Sequence, residues 1–335
     1  MRRREFITLL GGAAAWPLAA RAQQVDRVRR IGVLLSGDEN DPVRKAFVSA
    51  FAQSLAGLGW TDGRNVRMDV RWRGDDTNRI RALAHELVGL RSDIILANGN
   101  AATIALQRET RTIPIVFVRG ADPVTTGIVA RLDRPGGNVT GFSAGEATGG
   151  KDFELLSEIA PGLKRAAIMF HPDLPGRPLA DIPSFEAAAR SLKVEPIMAP
   201  VRSDAEIETA IIALGREPGG GLDVPGDAFT IVHRASIISA AARNNVPAVY
   251  SGTEFARDGG LLSYSPDQVD LSRRAASYVD RILRGEKPGD LPVLFPTKFE
   301  MAVNRKTAKA LGLEVDDHLV FRRKLHWEIA RLLAA

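Results

Sequence analysis

Residues 111–143 read RTIPIVFVRGADPVTTGIVARLDRPGGNVTGFS, and this stretch decides the fold. It opens with IPIVFV at 113–118, an almost unbroken β-branched and aromatic run. Such a run fits a parallel strand covered on both faces. It stops at Arg119-Gly120-Ala121-Asp122-Pro123, a polar loop at the strand's carboxyl end. In open parallel α/β sheets, ligands bind outside the carboxyl ends of the strands. Arg134-Pro135-Gly136-Gly137-Asn138 then turns the chain into a short strand at 139–143. Strand and helix patterns alternate again beyond it, so the chain is read as two α/β lobes with this segment as the bridge.

Upstream, RIGVLL at 30–35 is the first strand, and it ends in the small and acidic loop 36–42. Asp41 is placed to cap the next helix, with Pro42 at its first position. That helix, about 42–58, is expected to bury Ala46, Phe47, Ala50, Phe51, Leu55 and Leu58. A strand at 66–72, a helix at about 77–90 and a strand at 93–97 follow. Asn98-Gly99-Asn100 then opens a helix near 101–109 whose free backbone N–H groups can face an anion. Downstream, strands are expected at 165–170, 194–199, 222–224 and 246–250, with one helix at about 231–243. Residues 259–264 read as a strand returning through the hinge, and 267–284 as a helix packed on the first lobe.

Seven segments carry a family resemblance. They are IGVLLSGDENDP (31–42), GLGWTDGRNVRMDVRW (57–72), IPIVFVRGADPV (113–124), RPGGNVTGFS (134–143), ELLSEIAPGLKR (154–165) after Gly150-Lys151, EPGGGLDVPGDAFTIVHR (217–234) and LRGEKPGDLPVLFPTKFEMAVNRKTAKALGL (283–313). In this order they resemble the ABC-transporter substrate-binding protein family that includes bacterial tryptophan and tyrosine binders. The resemblance implies a type I periplasmic-binding fold: α/β, with two Rossmann-like lobes, parallel sheets and a multi-strand hinge crossed three times. It places 28–142 with 264–294 in an N-terminal lobe and 145–262 with 296–316 in a C-terminal lobe. It also implies a monomer that captures a small-molecule ligand by closing its lobes. The ligand is then delivered to an ABC permease and its ATPase in the inner membrane. Residues 317–335, with His318 and His326, depart from the family ending and read as a solvated terminal helix or a docking element.

The N-terminus carries an export signal. Arg3-Arg4 followed by Phe6-Ile7 matches a twin-arginine motif, and an apolar stretch leads to Ala20-Arg21-Ala22, an A-x-A cleavage pattern. An ordinary secretory signal with an arginine-rich start is the alternative; either route makes the mature protein, from Gln23, periplasmic. Removing residues 1–22 takes four arginines and one glutamate from 45 basic and 40 acidic residues, leaving 41 against 39. That balance does not describe a nucleic-acid binder, which concentrates basic residues on one face. No DNA-binding helix pair precedes the lobes, as a ligand-responsive repressor of this fold would need. The chain has no cysteine, which excludes disulfides, thiol catalysis and a lipidated N-terminal cysteine.

No catalytic constellation emerges. His85, His171, His233, His318 and His326 lack metal-ligand spacing, and neither a G-x-S-x-G elbow nor a phosphate loop occurs. No cofactor is expected, and a binding site is expected instead. Its first-lobe residues are Ser36, Asp38, Asn98, Asn100, Arg119 and Asp122; its second-lobe residues are Ser143, Asp227, Ser251, Thr253 and Glu254. Tyr250 and Phe229 are candidates for stacking. Arg119 can hold a carboxylate at two points and Asp122 an ammonium, which together suit a zwitterionic amino acid. The same two residues can instead contact each other and shape their loop. Asp38, Asp227 and Glu254 argue against a multiply anionic ligand. A periplasmic sensor of the same fold, or an α/β enzyme, are the competing functions.

Overall fold

The computed structural model describes residues 27–37, 39–72, 77–145, 148–173 and 177–315. The export signal at 1–22, the candidate residue Asp38 and the tail at 317–335 lie outside the described residues. The first sheet has five strands: β1 (Arg29–Leu35), β2 (Val66–Trp72), β3 (Ile94–Asn98), β4 (Ile115–Gly120) and β5 (Val139–Ser143). Their order is β2-β1-β3-β4-β5 and every pair is parallel. A sheet of this kind needs helices on both faces, and β3 and β4 are buried throughout except at Arg119, as the continuous apolar runs require. Three helices follow its strands: α1 (Pro42–Gly57), α2 (Thr77–Gly89) and α3 (Gly99–Glu109).

The second sheet has six strands: β6 (Arg165–Phe170), β7 (Glu195–Pro200), β8 (Gly220–Val224), β9 (Ala248–Tyr250), β10 (Leu262–Pro266) and β11 (Phe299–Val303). Their order is β11-β10-β9-β8-β6-β7, parallel except where β11 runs against β10. Its helices are α4 (Gly149–Ile159), α5 (Arg177–Ser191), α6 (Asp204–Gly215), α7 (Ala228–Val232), α8 (Arg234–Arg243) and α9 (Thr253–Arg257). The last two helices are α10 (Gln268–Leu283) and α11 (Arg305–Ala310). The fold is therefore α/β with two parallel-dominated sheets.

Three local expectations are corrected. The stretch read as one helix at 231–243 is two, parted at His233, because Asp227 and Thr230 form a capping box that starts a short helix at Ala228. The strand expected at 259–264 is β10, which lies within the second sheet, and the chain leaves that sheet only at Asp267, which caps α10. In α1, Ala46 and Leu58 face outward while Arg44 is buried with Phe47, Phe51 and Leu55.

After β10 the chain returns to the first lobe as α10, which packs on α1 through Leu271, Ala275 and Val279. The Ser272 hydroxyl donates to the Phe47 carbonyl at 2.6 Å, and the Trp60 indole N–H donates to Asp280 at 2.8 Å. The crossings are tied to each other. Ser143 N donates to Leu294 O at 2.8 Å, Leu294 N to Gly141 O at 3.1 Å, and Asp267 N to Lys298 O at 3.0 Å. Gly141 stands where β5 presses on β4, and a Cβ there would run into the Phe117 carbonyl. Gly141→Ala is expected to cost about 3 kcal/mol, because the strand backbone must shift. Urea denaturation checks this, and an unchanged midpoint would refute the close approach.

Candidate functional site

The carboxyl ends of β1, β3 and β4 face those of β8 and β9 across the lobes. At the end of β1, the Ser36 hydroxyl donates to Asn98 Oδ1 at 3.0 Å. Both side chains are buried, Asn98 to 4 % exposure. This bond fixes the amide, so Asn98 Nδ2 is directed elsewhere, buried and without a hydrogen-bond partner. Asn98 is also the residue that begins α3, and its side chain makes no cap bond to that helix. The first helical residue, Gly99, has φ +80° and open space where a Cβ would stand, so the backbone N–H groups of the α3 start are approachable. A donor amide beside the N-terminus of an eleven-residue helix suits an anionic group.

Asn100 has a different task. Its Nδ2 donates to Ala121 O at 2.8 Å and its Oδ1 accepts from Ala121 N at 2.9 Å. It pins the loop after β4 to α3. Asp122, with φ 39°, turns its carboxylate back on that loop and accepts from Thr125 N at 3.2 Å. Ser143 braces the bridge by donating to Gly120 O at 3.1 Å and accepting from Gly145 N at 3.2 Å.

Arg119 stands at an irregularity of β4, where the register with β5 slips, and has φ 60°. Its guanidinium crosses to the second lobe: a Cβ on Gly226 would lie 3.1 Å from Arg119 Nη2 and 2.8 Å from Ser251 O. Arg119 follows Val118, the register partner of Asn98, and Gly226 precedes Asp227. Asn98 and Asp227 therefore sit on loop ends that Arg119 joins.

Asp227 Oδ1 accepts from Thr230 N at 2.7 Å, while Thr230 Oγ1 accepts from Asp227 N at 3.0 Å. Its Oδ2 is buried and has no hydrogen-bond partner. Burial pushes the Asp227 carboxyl above the usual carboxylate range; hydrogen bonds from Thr230 offset this only in part, as do the His171 imidazole and the His171 backbone N–H, which lies near the carboxylate without meeting hydrogen-bond geometry. Beside it, Phe229 is buried between His171 and His233, at ring distances of 5.0 and 4.2 Å.

Ser251 is buried and donates weakly to Asp152 Oδ2 at 3.5 Å. Thr253 is half-buried at the start of α9. Tyr250 stacks on Phe255 at 4.8 Å in the core of its lobe, and burial raises its phenol far above the usual range. Glu254 is buried against Arg44, with Nη2 to Oε1 at 2.9 Å. Asp41 likewise pairs with Arg234 at 2.8 Å, so Arg44 and Asp41, absent from the candidates read in the sequence, are interlobe residues. The signal for Arg44 was its place on the apolar stripe of α1, three residues before Phe47. A cavity of about 1070 Å³ opens beside these pairs, between Trp72 and Arg79 on one lobe and Ile231 and Ile238 on the other. Its lining includes neither Asn98 nor Asp227. Among the described residues no group of three or more His, Cys, Asp or Glu could hold a metal, and no helix is long and apolar enough to cross a membrane.

Comparisons with known proteins agree with this architecture. The chain is 26 % identical over 291 residues to the Tyrosine-binding protein of Clostridioides difficile (strain R20291), covering 85 % of this chain and 81 % of that protein. It superposes on a conserved domain protein from Vibrio cholerae O1 biovar eltor with TM-score 0.81 at 24 % identity, covering 88 % and 98 % of the two chains. It superposes on an ABC domain in complex with L-Trp from Streptococcus pneumonia with TM-score 0.80 at 24 % identity, covering 87 % and 97 %. These two likenesses show the fold, that of the two-lobed periplasmic binders. The model of the ABC transporter substrate binding protein family matches residues 31–326, and the chain belongs to that family.

Proposed function

We propose that the cleft takes a zwitterionic amino acid and hands it to an ABC permease. One observation carries this reading: two buried polar groups of opposite kind, the donor Asn98 Nδ2 and the acceptor Asp227 Oδ2, lack partners on facing loop ends. An unpaired buried polar group costs roughly 1–3 kcal/mol, which a ligand group that completes it returns. The carboxylate of an amino acid suits Asn98 and the start of α3, and its ammonium suits Asp227. Arg119, whose guanidinium lies beside Gly226, ties the two loop ends together, and Ser36 orients Asn98. The names of the similar proteins, a tyrosine binder and an L-Trp complex, support an aromatic side chain.

The protein acts as a monomer outside the cytoplasm, without chemistry on its ligand and without nucleic acid; the permease and its ATPase are its partners. The motif Arg3-Arg4-x-Phe6-Ile7 supports twin-arginine export. Replacing both arginines by lysine is expected to leave the precursor in the cytoplasm, as cell fractionation reads, and unchanged export would exclude that route.

The ligand class is tested by thermal shift of residues 23–335, unfolded, dialysed and refolded to remove anything bound. An amino acid at a hundred times its Kd adds about 2.7 kcal/mol to the folded state. L-tyrosine and L-tryptophan are expected to shift the transition, and their N-acetyl and amide forms are not. No shift with any amino acid, beside a clear shift with a sugar or polyamine, would overturn the reading.

A further inference from the structure

The charged pairs that join the lobes are far from the hinge. Asp41 and Arg44 begin α1, directly after β1. β1 is three strands from β5, where the chain enters the hinge, a lever of roughly 14 Å at ~4.8 Å per strand. Arg44 reaches Glu254 at 2.9 Å, with each side chain only 2 % exposed. Asp41 Oδ2 accepts from Arg234 at 2.8 Å, and Arg234 also holds Asp258 at 2.7 Å. Arg257 stands 3.9 Å from Asp41 and 2.7 Å from Asp258. Two residues of one lobe thus meet three of the other, with Asp258 holding two of those three from behind, and the three acids and three arginines balance. Asp41 also caps α1 through Val43 N and Arg44 N, so the residue that starts the helix also takes the partner lobe's arginine.

We propose that Arg44 and Glu254, flanked by Asp41 and Arg234, form a latch that holds the lobes closed and slows ligand release. The proposal follows from where each charge is solvated. With the lobes together, both members of the buried pair are dry but matched. With the lobes apart, both return to water. Removing one member leaves an unmatched buried charge in the closed form only, so the open form gains. Removing both leaves no unmatched charge, and much of the closed population returns. Gly252 belongs to the device. A Cβ on it would lie 2.8 Å from the Glu254 carboxylate, which folds back over this residue to meet Arg44. Gly252→Ala should therefore weaken the pair without altering any charge.

The test uses the absence of cysteine. Gln53→Cys on α1 and Arg216→Cys just after α6 carry spin labels on the two lobes, and electron–electron resonance reads their separation without ligand. The parent is expected to show a closed distance in part of its population, beside the open one that captures ligand; Arg44→Met and Glu254→Gln are expected to lose the closed distance, and the double variant to regain much of it. A parent without the closed distance, or single variants whose distances overlay the parent's, would overturn the latch. The second arm rests on the amino-acid reading: L-tyrosine should leave each single variant on the order of a hundredfold faster, and the double variant within about tenfold of the parent. A parent that fails to bind L-tyrosine defeats that reading, while the ligand-free distances still decide the latch.

Discussion

Asp227→Asn raises the melting temperature of the ligand-free protein and removes the stabilisation gained from an amino acid. The two effects have one cause. Asparagine keeps the oxygen that accepts from Thr230 N, so the start of α7 is preserved. It removes the charge from a buried oxygen that has no partner. Burial is the main reason the Asp227 carboxyl is raised, so the folded chain holds this proton more tightly than the unfolded one. Its contribution to stability is therefore full below the unfolded value near 3.9 and is lost as pH rises through the raised folded value. Above that value the ionised carboxylate is a cost, and asparagine relieves about 1 kcal/mol of it. For a chain of this size that is on the order of 2 °C. A ligand ammonium relieves the same cost by pairing with the carboxylate, so the variant loses about 3 kcal/mol of binding, more than a hundredfold in Kd. In the parent, acid protonates Asp227 and weakens binding as pH falls through the raised value; in the variant this dependence is absent. Calorimetric titrations from acid to neutral pH, beside melting curves, check both. A variant that melts lower, or binds within threefold of the parent, removes Asp227 from the ligand's ammonium.

How much of this could be read from the chain depends on the distance over which each feature is encoded. Strands such as β1 and β4 are legible because a buried parallel strand must be apolar along its whole length. Caps are legible because donor and acceptor lie within a few residues, as at Asp41 with Pro42 and at Ser203 before α6. Partners remote in sequence are not. Arg44 and Glu254 are 210 residues apart; the apolar stripe of α1 marks Arg44 as a buried charge, but nothing local names its partner. Glu254 follows closely on a strand end and so reads as a ligand residue; in the structure it lies in the first turn of α9 with its carboxylate held by Arg44. Tyr250 shares that position in sequence, but its ring faces the core of its lobe and stacks on Phe255. Asn98 and Asn100 are the same residue type two positions apart. Only the hydrogen bonds part them, since Ala121 satisfies Asn100 at both ends while Ser36 satisfies only the oxygen of Asn98. The helix break at His233 was hidden because the apolar pattern runs through it. The division into lobes, by contrast, was visible in the restart of strand and helix alternation after β5.

That difference between the asparagines makes Asn98→Asp the most discriminating substitution. Aspartate has nearly the same shape and keeps an oxygen to accept from Ser36 Oγ. It sits at the start of α3, where a negative charge is favoured by the helix dipole. The ligand-free fold should therefore melt within a few degrees of the parent. The other oxygen now replaces Nδ2, and a donor facing the ligand becomes an anion. Two like charges about 4 Å apart at an effective dielectric near 20 repel by ~4 kcal/mol, close to a thousandfold in Kd. Asn98→Ala, which deletes the donor without adding charge, should lose only about ten- to a hundredfold. The comparison turns on a second ligand: tyramine is tyrosine without its carboxylate, and it meets no such repulsion. Its ammonium still reaches Asp227, so its affinity for Asn98→Asp should equal or exceed its affinity for the parent. The variant thus reverses the preference between the two ligands. If L-tyrosine binds the parent and Asn98→Asp alike, the carboxylate lies elsewhere, and Arg119 becomes the residue to replace. If L-tyrosine and tyramine both fail on the variant, the substitution has disturbed the cleft, and a fall in melting temperature would show it.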